Sequence, residues 1–420
     1  MSSGRYQALK GMKDIMPPDI HVWQSVERKA REVFSAFGFR EIRPPIVEAT
    51  GVFTRSIGEN TDIVEKEMYT FEDKGGRSIT LRPEGTAPVV RCYVENHLYN
   101  MPPPQKFYYA GPMFRYERPQ SGRFRQFYQI GAECFGSPHP AADAEMLSML
   151  RHFLSGVGLP NLKFQVNSIG CENCRPAFKD SLVAFFAEKI DDLCADCRRR
   201  YGQNPLRILD CKVEGCREAR KGAPRVTDHL CEDCRVHFEH LLLLLEKLGI
   251  PHSVNPEMVR GLDYYTRTTF EVTSENLGAQ NAVAAGGRYD RLVKEFGGPE
   301  TPAVGFAIGM ERVVELLKAA VQYDLPRPLA FLAMLGKQAG IEGVLIADRV
   351  REKGLWVELG DAGSSLKSQM RRADRLNAQY VFIAGDDELR AGSLKWKRLS
   401  DSAEGEVAIQ GVVDFLQSLS

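Results

Sequence analysis

Apolar positions recur at helical spacing near the N-terminus. Val22, Val26, Ala30, Val33 and Phe37 fall on one face, after Pro17-Pro18-Asp19 and before Gly38. The spacing predicts a helix with one buried stripe, Asp19 near its cap and Gly38 as its stop. Residues 39–47 then look extended, interrupted by Pro44-Pro45. Proline cannot donate to a strand ladder, so this stretch belongs at an edge or an interface. YTFED and SITLRP flank Lys74-Gly75-Gly76 and predict a hairpin. Glu84, Gly85 and Thr86 follow at a strand-to-helix junction. FYYAGPMFRYER and FRQFYQIGAECFG are two β-rich stretches, joined by a polar loop near residues 119–122 and followed by a predicted helix over 142–153.

Residues 171–240 interrupt this β-rich flow with a mostly helical pattern. They are expected to form an inserted subdomain. Residues 259–272 and 282–289 resume strands, and 304–317 reads as a strand entering a helix. Pro326-Arg327-Pro328 looks like a linker. Beyond it LAFLAML, GVLIADRVREKG, LWVEL, SLKSQMRRADRLN and YVFIAG alternate strand and helix. That alternation predicts a small α/β domain with a largely parallel sheet. The predicted organisation is a domain over 1–325, interrupted by 171–240, and a second over 326–420. No internal repeat or low-complexity tract is present.

The apolar run from Leu241 to Leu245 is far too short to span a bilayer and reads as buried helix. The N-terminus has scattered charges and no apolar core, so no signal peptide is expected. A cytoplasmic setting follows, with reduced cysteines and no membrane partner.

Composition changes the picture less than position does. The 420 residues allow two to three domains. With 55 Lys+Arg against 55 Asp+Glu, the chain is not a globally basic polyanion binder, nor an acidic or disordered one. Locally the balance breaks. Residues 106–125 hold Lys106, Arg115, Arg118, Arg123 and Arg125 against Glu117 alone, interleaved with Phe107, Tyr108, Tyr109, Phe114, Tyr116 and Phe124. Guanidinium forks suit phosphate and flat rings suit purines. If these residues lay on two antiparallel strands, several guanidiniums would share a face. A solvated strand face with salt bridges is the alternative.

Three further segments carry candidate chemistry. In Arg260-Gly261-Leu262-Asp263-Tyr264-Tyr265, charges flank a glycine and precede paired tyrosines, which suits either a polar-ligand pocket or a β-hairpin with cross-strand aromatic pairs. Ala285-Gly286-Gly287-Arg288-Tyr289-Asp290 is a glycine turn that permits close backbone approach. Gly305 to Arg312 enters a helix, where Arg312 either reaches a phosphate or stands exposed. No GxxxxGK[ST] loop exists and no GxGxxG follows a strand. A nucleotide site here would be built from arginines on a sheet.

In this order the segments resemble a class II aminoacyl-tRNA synthetase, and more closely the bacterial histidyl-tRNA synthetases, over nearly the whole chain. FGFREIRPPIVE is similar to the first class motif, the 27 residues beginning FYYAGPMFRYER to the second and AVGFAIGMER to the third. RGLDYYTRTTFEV and AAGGRYD are similar to the two histidine motifs. The resemblance implies an α+β fold: an antiparallel sheet flanked by helices, a helical Cys-rich insertion and a C-terminal α/β anticodon-binding domain. It implies a histidine–tRNA ligase that forms histidyl-adenylate and pyrophosphate from L-histidine and ATP, then transfers histidine to the 3′ end of its tRNA. It implies a homodimer. By the same resemblance Arg115 contacts the α-phosphate, Arg123 and Arg312 the outer phosphates with Mg²⁺ sharing that charge, and Arg260 supplies charge beside the α-phosphate. Glu84, Thr86 and Gln129 receive the substrate ammonium. Glu133 and Tyr265 read the imidazole nitrogens, with Tyr264 and Tyr289 in the same pocket. In the C-terminal domain Lys367, Arg371 and Arg375 fall at i, i+4 and i+8 beside Arg372, and are expected to touch tRNA phosphates. Arg390, Lys395, Lys397 and Arg398 form a second basic cluster. Solvated faces are the alternative for both.

The insertion also carries four cysteine pairs: Cys171/Cys174, Cys194/Cys197, Cys211/Cys216 and Cys231/Cys234. Such spacing suits tetrahedral zinc, and eight thiolates could fill two structural Zn²⁺ sites. Free thiols or a redox-sensitive set are the alternatives. Related synthetases carry the insertion without these cysteines. Cys92 and Cys134 lack partner spacing and read as buried small hydrophobes. Two other functions compete. Synthetase-like regulators of ATP phosphoribosyltransferase bind histidine but typically lack the C-terminal domain and keep degraded histidine motifs; here both are intact. A zinc-finger nucleic-acid binder would account for the cysteines and leave RGLDYY unexplained.

Overall fold

A computed structural model describes residues 6–58, 61–120, 122–159, 161–259, 262–277, 281–320 and 325–419. The chain divides into two compact units, Met1–Tyr323 and Asp324–Ser420.

In chain order the first unit holds α1 (Asp19–Ala36), β1 (Arg40–Glu41), β2 (Val47–Ala49), α2 (Thr50–Ile57), β3 (Tyr69–Glu72), β4 (Ser78–Leu81), α3 (Thr86–Glu95), β5 (Gln105–Phe114), β6 (Gln126–Phe135), α4 (Pro140–Gly156) and β7 (Lys163–Ser168). The insertion supplies α5 (Arg175–Ala187), α6 (Ala195–Gln203), α7 (Glu214–Ala219) and α8 (Glu232–Lys247). Then come β8 (His252–Val254), β9 (Thr266–Thr273), β10 (Ala282–Arg288), α9 (Leu292–Glu295), β11 (Ala303–Gly309) and α10 (Met310–Ala320). Among the described residues, eight strands form one sheet in the order β1-β5-β6-β11-β10-β9-β7-β8, antiparallel except at the pairs β1–β5 and β7–β8. β2, β4 and β3 form a small antiparallel sheet.

The sheet's two faces follow from alternation along each strand. Tyr108, Ile130, Ala132, Val304, Phe306 and Ile308 face one side, against α1, α4, α8 and α10. Phe107, Tyr109, Met113 and Phe135 face the other, with α3 and α9. The buried stripe of α1 is Val22, Trp23, Val26, Ala30 and Phe34. The helix thus turns slightly from the expected line, with Phe34 rather than Val33 at its centre. Phe34 is fully buried and meets Tyr108 and Phe306 edge-on at 5.6 and 5.8 Å. As expected, the proline-broken segment sits at an edge, since β1 ends the sheet order. The Lys74-Gly75-Gly76 hairpin forms between β3 and β4.

One alternative and one expectation fail locally. Residues 262–265 are not a hairpin; they form the turn entering β9, and the Tyr264 and Tyr265 rings pack at 4.6 Å in the second face's cluster. The sheet of the second unit is mixed. Its strands β12 (Ala330–Met334), β13 (Val357–Leu359) and β14 (Tyr380–Ala384) are parallel, with α11 (Lys337–Glu352) and α12 (Leu366–Arg375) between them. β15 (Ser393–Arg398) and β16 (Glu404–Ala408) then add antiparallel. The charged alternation of SLKWKR and EGEVA hid these two strands, because each presents alternate residues to solvent.

Candidate active site

Alternation also fixes the cavity. Gln129, Gly131 and Glu133 share one face of β6, opposite Gly309, Ala307 and Gly305 of β11 and Gly111, Tyr109 and Phe107 of β5. The small residues make room. A Cβ on Gly305 would stand 1.6 Å from Glu133 Oε2, and one on Gly85 or Gly131 would stand within 2.2 Å of the Tyr109 ring. Tyr109 therefore lies wedged between two glycines beside the pocket. The aromatic run offered Tyr109 as one ring among six; the glycines at 85 and 131 were the signal that marks it out.

Above this face opens a cavity of about 510 Å³. Arg115, Arg123 and Arg312 line one part of it, and Glu84, Thr86, Gln129, Tyr264 and Tyr265 another. The guanidiniums do converge, although not from paired strands. Arg115 follows β5 and Arg123 precedes β6, so both sit on the connecting loop, and Arg312 comes from the first turn of α10. Arg115 donates to Pro83 O at 2.8 Å and lies over the Phe127 ring at 5.3 Å. Buried Glu117 pairs with Arg123 and stands 3.8 Å from Arg115. Burial, with Arg123 and Arg115 nearby, depresses the Arg312 pKa. Three converging guanidiniums can bind a polyanion, with Glu117 holding two of them in place. Lys106 does not join them: it pairs with Glu145 at 2.7 Å on the helix-covered face. Arg125 stacks on Tyr116 at 3.8 Å.

At the other part, Glu84 accepts from the backbone N–H groups of Thr86 and Ala87 at 2.7 and 2.8 Å, capping α3. Burial raises its pKa and those two N–H groups oppose the rise. Thr86 Oγ1 donates to Glu133 Oε1 at 2.7 Å, and the Tyr289 hydroxyl donates to Glu133 Oε2. Glu133 and Tyr289 lie beneath the lining residues, and burial pushes the Glu133 carboxyl up to about 8. Among the described residues, Gln129 Oε1 is buried without a hydrogen-bond partner. An unpaired buried acceptor is costly, which suits a ligand donor. Carboxyls of Glu271 and Glu311 also line the cavity, and burial raises Glu311 to about 7. Arg260 lies outside the described residues.

The glycine segment is no turn: Ala285 to Arg288 end strand β10, paired on both sides, and the segment divides between two roles. Tyr289 supports Glu133, whereas Arg288 is fully buried on the way to α4, pairing with Asp143 at 3.1 Å and Asp290 at 3.2 Å. His237 of α8 reaches the same Asp143 at 2.7 Å. This network ties β10 to two covering helices and has no ligand-facing part.

The insertion forms part of the cavity wall, which sequence reasoning missed. Leu209, Asp210, Cys211, Lys212, Arg217 and Arg220 all line it. Asn204 and Arg207 contact Asp263 at 3.3 and 3.5 Å, and Arg175 donates to the Tyr265 carbonyl. No periodicity could announce contacts between segments some 50 to 90 residues apart. The cysteines gather as Cys171, Cys174, Cys231 and Cys234, and as Cys194, Cys197, Cys211 and Cys216. Cys134 is buried as expected; Cys92 is only partly so.

In the second unit Lys367, Arg371, Arg372 and Arg375 are exposed on α12, whose opposite side buries Gln369 and Ala373. Arg372 is partly engaged, pairing with Glu358 at 3.3 Å. The other basic cluster is neutralised: Arg390, Lys395, Lys397 and Arg398 each pair with an acid, Asp387, Glu388, Glu404 and Asp401. No helix is long and apolar enough to cross a membrane among the described residues.

Comparison with known proteins adds to this geometry. A histidyl-tRNA synthetase family model matches residues 11–313, and an anticodon binding domain model matches 337–419. A histidine–tRNA ligase of Thermodesulfovibrio yellowstonii is 50% identical over 413 residues, covering 98% of both chains. One of Syntrophotalea carbinolica is 52% identical over 404 residues, covering 96% of both. Among solved structures, apo histidyl-tRNA synthetase of S. aureus superposes with a TM-score of 0.84 at 35% identity, over 98% of this chain and 100% of that one.

Proposed function

The chain belongs to the histidyl-tRNA synthetase family, class II enzymes that join histidine to tRNA with ATP, and from that premise we propose how its residues divide the reaction. The observation that carries the reading is one cavity that brings three guanidiniums together with the carboxyl of Glu84 and the amide of Gln129. A zwitterionic amino acid and a nucleoside triphosphate need that polarity. ATP binds with its α-phosphate on Arg115 and its outer phosphates on Arg123 and Arg312. The oxygen donors Glu271 and Glu311 fit Mg²⁺ shared with those phosphates, which would neutralise part of their charge. Histidine sets its ammonium on Glu84, Thr86 and Gln129, whose orphaned Oε1 gains a donor. Its ring reaches Glu133 and Tyr265, with Tyr264 alongside and Tyr289 orienting Glu133.

In the first step a histidine carboxylate oxygen attacks the α-phosphorus. The bond from that phosphorus to the β-bridging oxygen breaks, and pyrophosphate leaves with the electron pair. No proton moves at the reacting atoms, so no general base is required. Arg115 stabilises the charge that builds on the phosphoryl oxygens, and Arg260 shares this task. Glu133 retains a proton near neutral pH in the empty pocket. An imidazole can take that proton, giving a buried imidazolium–carboxylate pair that selects histidine over isosteric neutral side chains. In the second step a terminal ribose hydroxyl of tRNA attacks the activated carbonyl and AMP leaves.

The domain over 1–325 carries the chemistry, and 326–420 binds the anticodon stem through Lys367, Arg371, Arg372 and Arg375. Two chains pair through the segment that leads from β1 into β2, where Ile46 and Val47 are exposed. The cytoplasm, where its tRNA is found, is the proposed setting. The insertion cysteines take no part in either step, and structural zinc is their role. Histidine-dependent ATP–pyrophosphate exchange tests the first step and tRNA charging the second. Exchange no higher than background with active-site-titrated protein would overturn the reading.

A further inference from the structure

The insertion is about 70 residues long and builds its own small core from Phe178, Leu182, Phe186 and Ile208, together with the thiols of Cys197, Cys211 and Cys216. A unit of this size rarely stands on apolar burial alone. Its eight cysteines fall into two groups of four, and within each group the four sulfurs lie within 4.8 Å of one another. The Sγ–Sγ separations are 3.7 Å for Cys171–Cys174, 3.8 Å for Cys171–Cys231 and 3.9 Å for Cys194–Cys211. Four sulfurs about 2.3 Å from one zinc stand about 3.8 Å apart. A disulfide would need about 2.05 Å.

Hydrogen-bond donors and helix N-termini face part of each group. Backbone N–H of Cys231 donates to Cys174 Sγ at 3.1 Å, and that of Cys194 to Cys216 Sγ at 3.2 Å. Cys174, Cys194 and Cys231 stand immediately before α5, α6 and α8, at the positive ends of three helix dipoles. One arginine stands near each group: Arg175 beside Cys171 and Cys174, and half-buried Arg200, which also pairs with Asp62 at 2.9 Å, beside Cys197. Four thiolates crowded together without a cation would repel.

We propose that the insertion binds two zinc ions in nested tetrathiolate sites. The outer site is Cys171, Cys174, Cys231 and Cys234; the inner is Cys194, Cys197, Cys211 and Cys216. Each zinc replaces four thiol protons, which pass to solvent, and leaves a complex of net charge −2. Soft sulfur ligands in tetrahedral array select zinc over the harder Mg²⁺ or Ca²⁺. The outer site closes the insertion where it leaves β7 and re-enters α8. The inner site holds the segment from Leu209 through Arg220 against the cavity, so its metal positions part of the active-site wall. That last statement rests on the adenylation reading; the two sites do not.

Full-length protein purified without chelator under reducing conditions is expected to carry two zinc ions per chain by elemental mass spectrometry. The pairing is tested by double variants. Cys171→Ser/Cys231→Ser and Cys194→Ser/Cys211→Ser each keep one zinc, and Cys171→Ser/Cys194→Ser keeps none. Consecutive pairing would reverse all three results, leaving no zinc in the first two variants and one in the third, and overturn the nested arrangement. The unmodified chain gives an independent check if variants unfold. Two equivalents of Co²⁺ added to metal-free protein should develop the charge-transfer and d–d bands of four-thiolate tetrahedral sites; failure to do so, or well under one zinc per chain after zinc reconstitution, overturns the sites. The inner-site variant should raise the KM for ATP in exchange by about tenfold with kcat little changed, and the outer-site variant by much less. An unchanged KM with one zinc lost overturns the wall assignment. Exchange without zinc removes this proposal and leaves the enzyme reading standing; zinc without exchange does the opposite.

Discussion

Gln129 and Cys211 line the same cavity and are held there by different means. Gln129 sits on a ten-residue strand paired on both sides, in a register that also sets Glu133, Gly305 and Gly309. Its neighbours cannot shift without breaking a ladder, and the glycines beneath them have no room for a methyl. Cys211 sits between a 3₁₀ turn and the six-residue α7, in a segment whose nearest long-range anchors are sulfurs and arginine hydrogen bonds. The floor is positioned by main-chain pairing, the wall by cross-links. Floor residues can therefore be exact in placement and carry chemistry, whereas the wall can be lost or altered while chemistry continues at reduced affinity.

Variants divide along that line. The largest expected effect is at the anionic-ligand part, where Arg115 directly follows the floor strand β5. Arg115→Ala should lower the kcat of ATP–pyrophosphate exchange by about 10² to 10³-fold, the usual cost of removing one transition-state charge partner, with thermal stability close to wild type. Next is Glu133→Gln, which should raise the KM for histidine by about 10²-fold, equivalent to about 2.7 kcal/mol. The same variant carries a pH signature. The Glu133 carboxyl rises from 4.5 to about 8 on folding, so the folded state holds its proton more tightly. Its stabilising contribution is full below pH 4.5 and is lost as pH rises toward 8. Thermal unfolding of the wild type should thus fall relative to Glu133→Gln across that window. Parallel curves would contradict the buried, protonated state.

Smaller effects belong outside the floor. Reversing the charges of Arg371, Arg372 and Arg375 should raise the KM for tRNA by about tenfold at modest salt, less at high salt, and leave exchange unchanged. The same reversal at Arg390, Lys395, Lys397 and Arg398 should do less to tRNA binding, because each already pairs with an acid. The smallest is in the wall. Arg220 donates to the Leu209 and Cys211 carbonyls and pairs with Glu257 at 3.4 Å. Arg220→Ala should raise the KM for ATP by about threefold with kcat unchanged. A larger loss of kcat than at Arg115 would erase the distinction between wall and floor.

The floor was legible in the sequence for a physical reason. Strand alternation and glycine placement are local signals, and the residues from Glu84 to Glu133 carry both. Arg115, Arg123 and Arg312 were readable as a set, yet their convergence comes from a loop and a helix start rather than from paired strands. Lys106 shares their run but faces Glu145 across the sheet, a parity that its composition concealed. The wall was not legible. Cysteine spacing shows that four pairs exist; only the chain's path in space shows that the first pair meets the fourth. Arg288 carried the same lesson in reverse, since a residue that follows a ligand-like Gly-Gly pair ends a strand and serves Asp143 in the core.

The most direct measurement is a crystal structure of the full chain with a non-hydrolysable histidyl-adenylate analogue. The account predicts its phosphate-mimicking group on Arg115, its imidazole within hydrogen-bond distance of Glu133 and Tyr265, and its ammonium on Glu84 and Gln129. An analogue bound elsewhere, with Glu133 still bonded only to Thr86 and Tyr289, would contradict it.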